Sequence, residues 1–365
     1  MNDKILILAN NSGGLYGFRK ELMQELISRG YKVYASTPFD DFIDELKELG
    51  IHLIKTEINR RGMNPIRDSK LILEYIKIIK KIKPSLVITY TIKPNLYGAS
   101  VARLLKIPYA INITGLGTAF QNDGILRKLV TKWYKFVCKK VKVTFFENVG
   151  NQEIFLHLDI VKPDKCCVLN GAGVNTEHYY FSQYPPIKDK LHFLFIGRIM
   201  KEKGVDELFW AIEKLYEDNK NIILDVVGSF EDNYADIIKE LEDKGCLHYY
   251  GYQKDVRPFI EKCHCFVLPS YHEGMANTLL ECASMGRPLI TSNIHGCKEA
   301  VIDGKNGYIV KVKNSHDLFN KMSNFIDLSI ANKENMGKKS RDIVECKFQK
   351  KKVVKETLKS LEKYI

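Results

Sequence analysis

Short apolar runs alternate with helix-spaced segments in two successive blocks, and this alternation limits the chain's possible folds more than any other feature. In the first block the runs are KILILA (4–9), YKVYAS (31–36), HLIKT (52–56), LVITYT (86–91), YAINI (109–113) and VTFFE (143–147). In the second they are HFLFIG (192–197), IILDVVG (222–228), LHYYG (247–251), CFVLP (265–269), PLITS (288–292) and YIVKV (308–312). Segments between them, such as 40–50 and 67–83, carry apolar residues at helical spacing, and Gly50 marks an expected stop. Strand–helix–strand alternation predicts parallel sheets covered by helices, so two blocks predict two doubly wound, Rossmann-like α/β domains. The length of 365 residues, beyond the size at which single cores divide, agrees. Polar, proline-bearing SQYPPIKDK (182–190) reads as the linker. The predicted division is 1–181, 182–190, 191–345, and a C-terminal helix over 346–365 that returns to the first domain.

No apolar run reaches the ~18 residues needed to span a bilayer. KILILA is too short for a secretory core and runs into polar NNS, so it reads as a buried strand of a cytosolic protein. Nine cysteines follow neither a disulfide framework nor zinc spacing, and reduced thiols are expected. Charge is unevenly placed: residues 1–180 hold +10 of the formal +12. GILRKLVTKWYKFVCKKVKV (124–143) contains no acid and interleaves Trp133, Tyr134 and Phe136 with Lys and Arg. A solvated amphipathic helix is one reading of it. The other is an anionic membrane surface, which attracts each Lys or Arg by about 1 kcal/mol. No nucleic-acid-binding motif accompanies the patch, so nucleic acid is not expected as a partner.

Parallel sheets bind ligands at the carboxyl ends of their strands. After the first run, NNSGGLYGFRKEL (10–22) offers Gly13 and Gly14 before a helix expected to begin near Leu15. After HFLFIG, the loop RIMKEKGVDEL (198–208) carries Arg198 and Lys203 before Gly204 opens a helix, a pairing suited to a diphosphate. After CFVLP comes SYHEGMANTLLECASMGRP (270–288), with Glu273 in the loop and Asn277 as the expected N-cap. Glu281 then falls one turn into the helix, which Gly286 and Pro288 end. The amides of Gly274, Met275, Ala276, Asn277 and Thr278 are expected to converge on an anion. Two carboxylates flanking an anion site suit hydroxyl groups on either side of a phosphate, the order found in a nucleotide sugar.

Glu-x7-Glu after a strand, together with GRxxxxKG after the first strand of the second block, resembles the retaining glycosyltransferases of family 4. TYTIKPNLYG (89–98), NITGLGTAF (112–120) and FFENVGNQEIF (145–155) are similar to a subgroup that builds bacterial surface glycans, including enzymes that add N-acetylgalactosamine to undecaprenyl-diphospho-sugars. The resemblance covers essentially the whole chain and implies the GT-B fold, with two Rossmann-like domains facing across a cleft. It implies that Glu281 holds the donor ribose, and that Glu273 holds the transferred sugar near the amides of 274–278. Arg198 and Lys203 would neutralise a departing UDP in place of a metal, so no cofactor or metal is expected. Gly14 would line the cleft, and Gly251 and Tyr252 would lie by the base. The implied acceptor is a sugar on undecaprenyl diphosphate, and the implied place is the inner face of the cell membrane, docked through 124–143. Relatives place a histidine after the fourth strand where this chain has Thr91, Ile92 and Lys93. Lys93, Asn95 and Gly115 are therefore acceptor-side candidates.

Two other readings share the architecture, a non-hydrolysing UDP-N-acetylhexosamine 2-epimerase and a non-enzymatic nucleotide-sugar binding protein. The epimerase needs further acid/base groups at the sugar. Neither first strand is followed by GxGxxG with a downstream acid, which disfavours an NAD dehydrogenase. His272, beside Glu273, reads as a loop side chain rather than a base.

Overall fold

The computed structural model describes residues 3–59, 64–117, 120 and 124–365. The chain divides into two units, Met1–Ala172 with Lys351–Ile365, and Gly173–Lys350.

The first unit contains β1 (Lys4–Leu8), β2 (Lys32–Thr37), β3 (His52–Lys55), β4 (Leu86–Tyr90), β5 (Tyr109–Ile113), β6 (Val143–Phe146) and β7 (Cys166–Val168). Its helices are α1 (Ser12–Ser28), α2 (Ile43–Glu48), α3 (Pro65–Ile82), α4 (Ala99–Leu104), α5 (Ile125–Cys138) and α6 (Val149–His157). The strands form one sheet in the order β3-β2-β1-β4-β5-β6-β7, parallel throughout. LVITY, YAINI and VTFF are buried at every position, as β-branched and aromatic strands covered on both faces must be. The helices follow equally local rules. In α3, Pro65 occupies the first turn and the Asn64 side chain accepts from the amides of Ile66 and Arg67. Leu71, Tyr75, Ile78, Ile79 and Ile82 then form its buried stripe.

The second unit contains β8 (Leu191–Ile196), β9 (Ile222–Val227), β10 (Leu247–Tyr249), β11 (Cys265–Leu268), β12 (Leu289–Ser292) and β13 (Gly307–Val310). With them come α7 (Val205–Asp218), α8 (Ala235–Lys244), α9 (Arg257–Lys262), α10 (Asn277–Ser284), α11 (Ser315–Ile326) and α12 (Ile330–Ile343). The sheet order is β10-β9-β8-β11-β12-β13, again parallel. The last helix, α13 (Lys350–Leu361), buries Val353, Leu358 and Leu361 in the core of the first unit with Ile5, Leu26 and Val33.

The segment 182–190, expected to link two domains, instead lies inside the second unit. Arg287 binds its start: the guanidinium donates to the Ser182 carbonyl (3.1 Å), the Ser182 hydroxyl (2.7 Å) and the Gln183 carbonyl (3.2 Å). A proline-rich composition signals the lack of regular structure here, but not freedom from the surface it crosses. All nine cysteines are free thiols, with Cys166 and Cys167 on β7.

Strand order reverses direction at β1/β4 in the first sheet and at β8/β11 in the second. Loops leaving such neighbouring strands part to opposite faces and leave a crevice, where ligands of doubly wound sheets bind.

Candidate functional site

At the β8/β11 switch point the two loops singled out in the sequence meet. Gly204 takes φ 71°, and any Cβ there would collide with the Pro269 carbonyl, so only glycine allows this approach. The Tyr271 amide donates to the Glu202 carbonyl at 2.8 Å. Consequently the Lys203 ammonium reaches the Glu273 carboxylate, 2.5 Å away, while the Ser270 hydroxyl donates to the same oxygen at 2.9 Å. The side chains of Lys203 and Glu273 are 19% and 12% exposed. Two residues 70 positions apart thus form one partly desolvated ion pair, open enough to be reached by solute.

The loop is braced from two further sides. The Tyr271 hydroxyl lies 2.8 and 2.7 Å from the two oxygens of buried Glu207, in the first turn of α7. Gly296, at φ 88°, packs against the carbonyls of Glu273 and Gly274, and its own carbonyl accepts the Ala276 amide at 2.8 Å. That bond corrects the expected anion nest, because one of its five amides is already spent. The N-cap also differs by one residue: Ala276 takes that place without a side-chain bond, and Asn277 is the first helical residue. Asn277 Oδ1 is buried without a hydrogen-bond partner. The side chains of Met275 and Ala276 are buried in the core, and with the Ala276 amide spent, the Met275 backbone is the part a ligand can read. Behind the pair, burial and the neighbouring Glu273 carboxylate push the Cys297 thiol well up, so it stays protonated.

Arg198 leaves the same β8 loop but is placed differently. Its side chain is 54% exposed and donates to Glu231 at 3.1 Å. Gly251 adopts φ 65° and accepts the Gly228 amide through its carbonyl, and Tyr252 is exposed. Glu281 lies on α10, where burial pushes its carboxyl up from an ordinary 4.5 to about 7, despite opposition from the Tyr179 hydroxyl and Lys350. Tyr179 is held there by its carbonyl, which accepts from the Ser284 hydroxyl at 2.5 Å and from Arg341 at 3.1 Å. Sequence reasoning missed Tyr179, which lies in an irregular segment 102 positions before Glu281 with no spacing relation to it. It missed Gly296 for the same reason, and Glu207, though inside the quoted segment 198–208, because nothing local shows that its partner is Tyr271, 64 positions on. Tyr271 and Ser270 could have been found, because they flank Glu273 within the motif.

In the first unit the candidates separate. The Gly14 amide donates to the Asn11 side chain at 2.5 Å, the N-cap bond of α1, which begins at Ser12 rather than near Leu15. Asn95 is fully occupied as a structural residue. Its side chain bonds the Thr89 hydroxyl at 2.6 Å and the Asn112 carbonyl at 2.8 Å, and it is 1% exposed, so no acceptor can reach it. Lys93 pairs with Asp68 at 2.7 Å. Gly115 has φ 154°; Thr118 and Ala119 of the same motif lie outside the described residues. Among the described residues, no group of three or more His, Cys, Asp or Glu side chains is arranged to hold a metal ion. No described helix is long and apolar enough to cross a membrane.

Residues 179–343 match the family described as glycosyl transferases group 1, and residues 4–148 match the glycosyl transferase 4-like family. The chain is 29% identical over 336 residues to the N,N'-diacetylbacillosaminyl-diphospho-undecaprenol alpha-1,3-N-acetylgalactosaminyltransferase of Campylobacter jejuni, covering 88% of each protein. It is 26% identical over 316 residues to the UDP-Gal:alpha-D-GlcNAc-diphosphoundecaprenol alpha-1,3-galactosyltransferase of Escherichia coli, covering 81% of this chain and 79% of that protein. Among solved structures, Anabaena HepE in complex with UDP-glucose superimposes with a TM-score of 0.80 at 15% identity, over 99% of both chains.

Proposed function

Because this chain belongs to the group 1, 4-like glycosyltransferases and has their GT-B fold, we propose that it moves a hexose or N-acetylhexosamine from a UDP-sugar to a sugar on undecaprenyl diphosphate. N-acetylgalactosamine or N-acetylglucosamine is the donor sugar of this reading, and the anomeric configuration is retained. The observation that carries it is the Lys203–Glu273 pair at the β8/β11 switch point. A cation there meets the charge that develops on the departing diphosphate, and the carboxylate beside it accepts hydroxyl donors from the sugar ring. Arg198 assists from the exposed rim, the amides of Met275, Asn277 and Thr278 with Tyr252 complete the donor contacts, and Glu281 accepts the ribose hydroxyls. No metal takes part in this proposal. Glu273 is not a glycosidase-type nucleophile, since that chemistry calls for a second carboxyl as acid and Lys203 occupies the neighbouring place. The relatives named above act on undecaprenyl-diphosphate-linked sugars, and the proposed acceptor follows from them.

The test is UDP release from a panel of UDP-sugars and lipid-linked sugar acceptors, dependent on the acceptor. Formation of a C2 epimer without acceptor would overturn the proposal in favour of an epimerase. The same assay carries a pH signature. With its carboxyl at about 7, Glu281 gains a proton as pH falls from 8 to 6 and loses acceptor capacity for ribose. A UDP-sugar does not titrate in that range, so the donor KM should rise by up to about tenfold per unit below pH 7. Glu281→Gln should flatten that dependence.

The acceptor would bring the enzyme to the inner face of the cell membrane, and α5 is suited to dock it. Its outward face carries Ile125 (79% exposed), Leu129 (54%) and Phe136 (41%) between Lys128, Lys132 and Lys135, with no acid in the helix. Alternating apolar and cationic side chains suit the headgroup zone of an anionic leaflet. Co-sedimentation with vesicles containing phosphatidylglycerol should be strong at low salt and lost in Lys128→Glu/Lys132→Glu. Absence of binding by the intact protein at any salt concentration removes this part.

A further inference from the structure

The first sheet has its own switch point, between β1 and β4, and the loop leaving β4 holds a polar cluster that the donor chemistry of the second unit does not use. Thr91, directly after β4, has φ 72°, a region that a β-branched residue avoids. Its hydroxyl is buried without a hydrogen-bond partner. The helical backbone that follows is interrupted by a π-helical turn, Pro94–Gly98, before α4. Strained backbone and π-turns persist where the surroundings hold them, and they gather at ligand sites.

Between these two features lies Lys93, whose ammonium meets Asp68 Oδ1 at 2.7 Å, with side-chain exposures of 11% and 12%. Asp68 sits in the first turn of α3 and also receives the Asn64 amide at 3.1 Å and the Tyr97 hydroxyl. The carboxylate therefore has three donors of its own. The ammonium has three N–H groups and makes one hydrogen bond among the described residues. Lys93 is thus held in place by Asp68 with donors left for a ligand, beside a hydroxyl that lacks a partner.

Resting on the proposed transfer to a lipid-linked sugar, we infer that Thr91, Lys93 and Asp68 form a subsite for the neutral terminal sugar of the acceptor, not for its diphosphate. Charge decides between the two. Lys93 and Asp68 together are neutral, and no second cation shares their loop as Arg198 shares that of Lys203, so a diphosphate drawn to the ammonium would sit against the bonded carboxylate with nothing to offset it. A sugar hydroxyl or an N-acetyl carbonyl accepts from the ammonium without that repulsion. The Thr91 side chain, only partly buried as a whole, can turn its unpartnered hydroxyl to a neighbouring oxygen of the same ring.

The experiment compares the lipid diphospho-sugar that supports transfer with the same lipid diphosphate lacking the sugar, used as a competitive inhibitor. Lys93→Met should raise the acceptor KM by about 10- to 100-fold, the loss typical of a charge-assisted hydrogen bond. The donor KM and inhibition by the bare lipid diphosphate should stay within about twofold of wild type. Because Lys93→Met strands a buried carboxylate, Lys93→Met/Asp68→Asn is tested as well, and should show the same selective loss. An acceptor KM near wild type in the folded double variant overturns the inference. So does an equal loss of inhibition by the bare diphosphate. Failure of the wild-type protein to release UDP with any acceptor would instead refute the proposed transfer itself.

Discussion

Lys203→Ala lowers kcat by roughly 10²–10³, the loss seen when a group that stabilises developing negative charge is removed. The size of this effect depends on where the ammonium is kept. A solvated lysine loses most of its field to water and counterions, whereas Lys203 is 19% exposed and fixed by Glu273 at 2.5 Å. Its position is already established before substrate arrives, so little reorganisation is needed as the diphosphate leaves. Arg198, 54% exposed and paired with Glu231, should matter less, with a loss of about tenfold or below in Arg198→Ala. Steady-state kinetics with the UDP-sugar and acceptor identified by the release assay check both, alongside thermal melts to show that the variants are folded. Removing Lys203 also leaves the Glu273 carboxylate with Ser270 Oγ at 2.9 Å and no cation, so the donor KM should rise too. Turnover within threefold of wild type in folded Lys203→Ala places the chemistry elsewhere.

Arg287→Met destabilises the protein by roughly 3–5 kcal/mol, the cost of leaving several buried carbonyls without donors. Arg287 is completely buried, and among the described residues no carboxylate bonds it. Its guanidinium donates to the carbonyls of Ile260 (2.8 Å) and Glu261 (3.0 Å) near the end of α9, and to those of Gly286, Ser182 and Gln183. Carbonyls at a helix C-terminus lack a full set of helical partners and carry partial negative charge, so they make a suitable shell for a buried cation, although Ile260 also accepts the Cys263 amide at 3.3 Å. Burial weakens the guanidinium's hold on its proton. Methionine fills a similar volume but strands several of these oxygens, at about 1–3 kcal/mol each where water cannot enter. For a unit of this size the melting temperature should fall by about 10 °C. Arg287→Lys should recover little, because an ammonium cannot reach in the same directions as the planar fork. A loss below about 1 kcal/mol would show that water or rearrangement satisfies the carbonyls.

Both effects depend on long-range placement, and that divides what could be read early from what could not. Strand periods, glycine and proline stops and the alternation of elements are properties of short segments, and they led directly to two parallel α/β units. Parallel sheets carry function at strand ends for a general geometric reason, so the loops bearing Arg198, Lys203 and Glu273 were identifiable by position alone. The basic, acid-free character of α5 was also plain from composition, although which side chains face outward was not.

What the amino-acid order determined by itself is the class of fold, the spans of nearly all strands and the loops that carry chemistry, because each depends on neighbours within about ten residues. Only the folded chain decided which partners those groups have. Sheet order brings Lys203 onto Glu273, and burial claims Asn95 for the interior while Asp68 takes Lys93. The segment expected to be a free linker is bound to the second unit by an arginine about a hundred positions away. Hydrogen-bond satisfaction in a low-dielectric interior is a property of the assembled surroundings, and no local pattern encodes it.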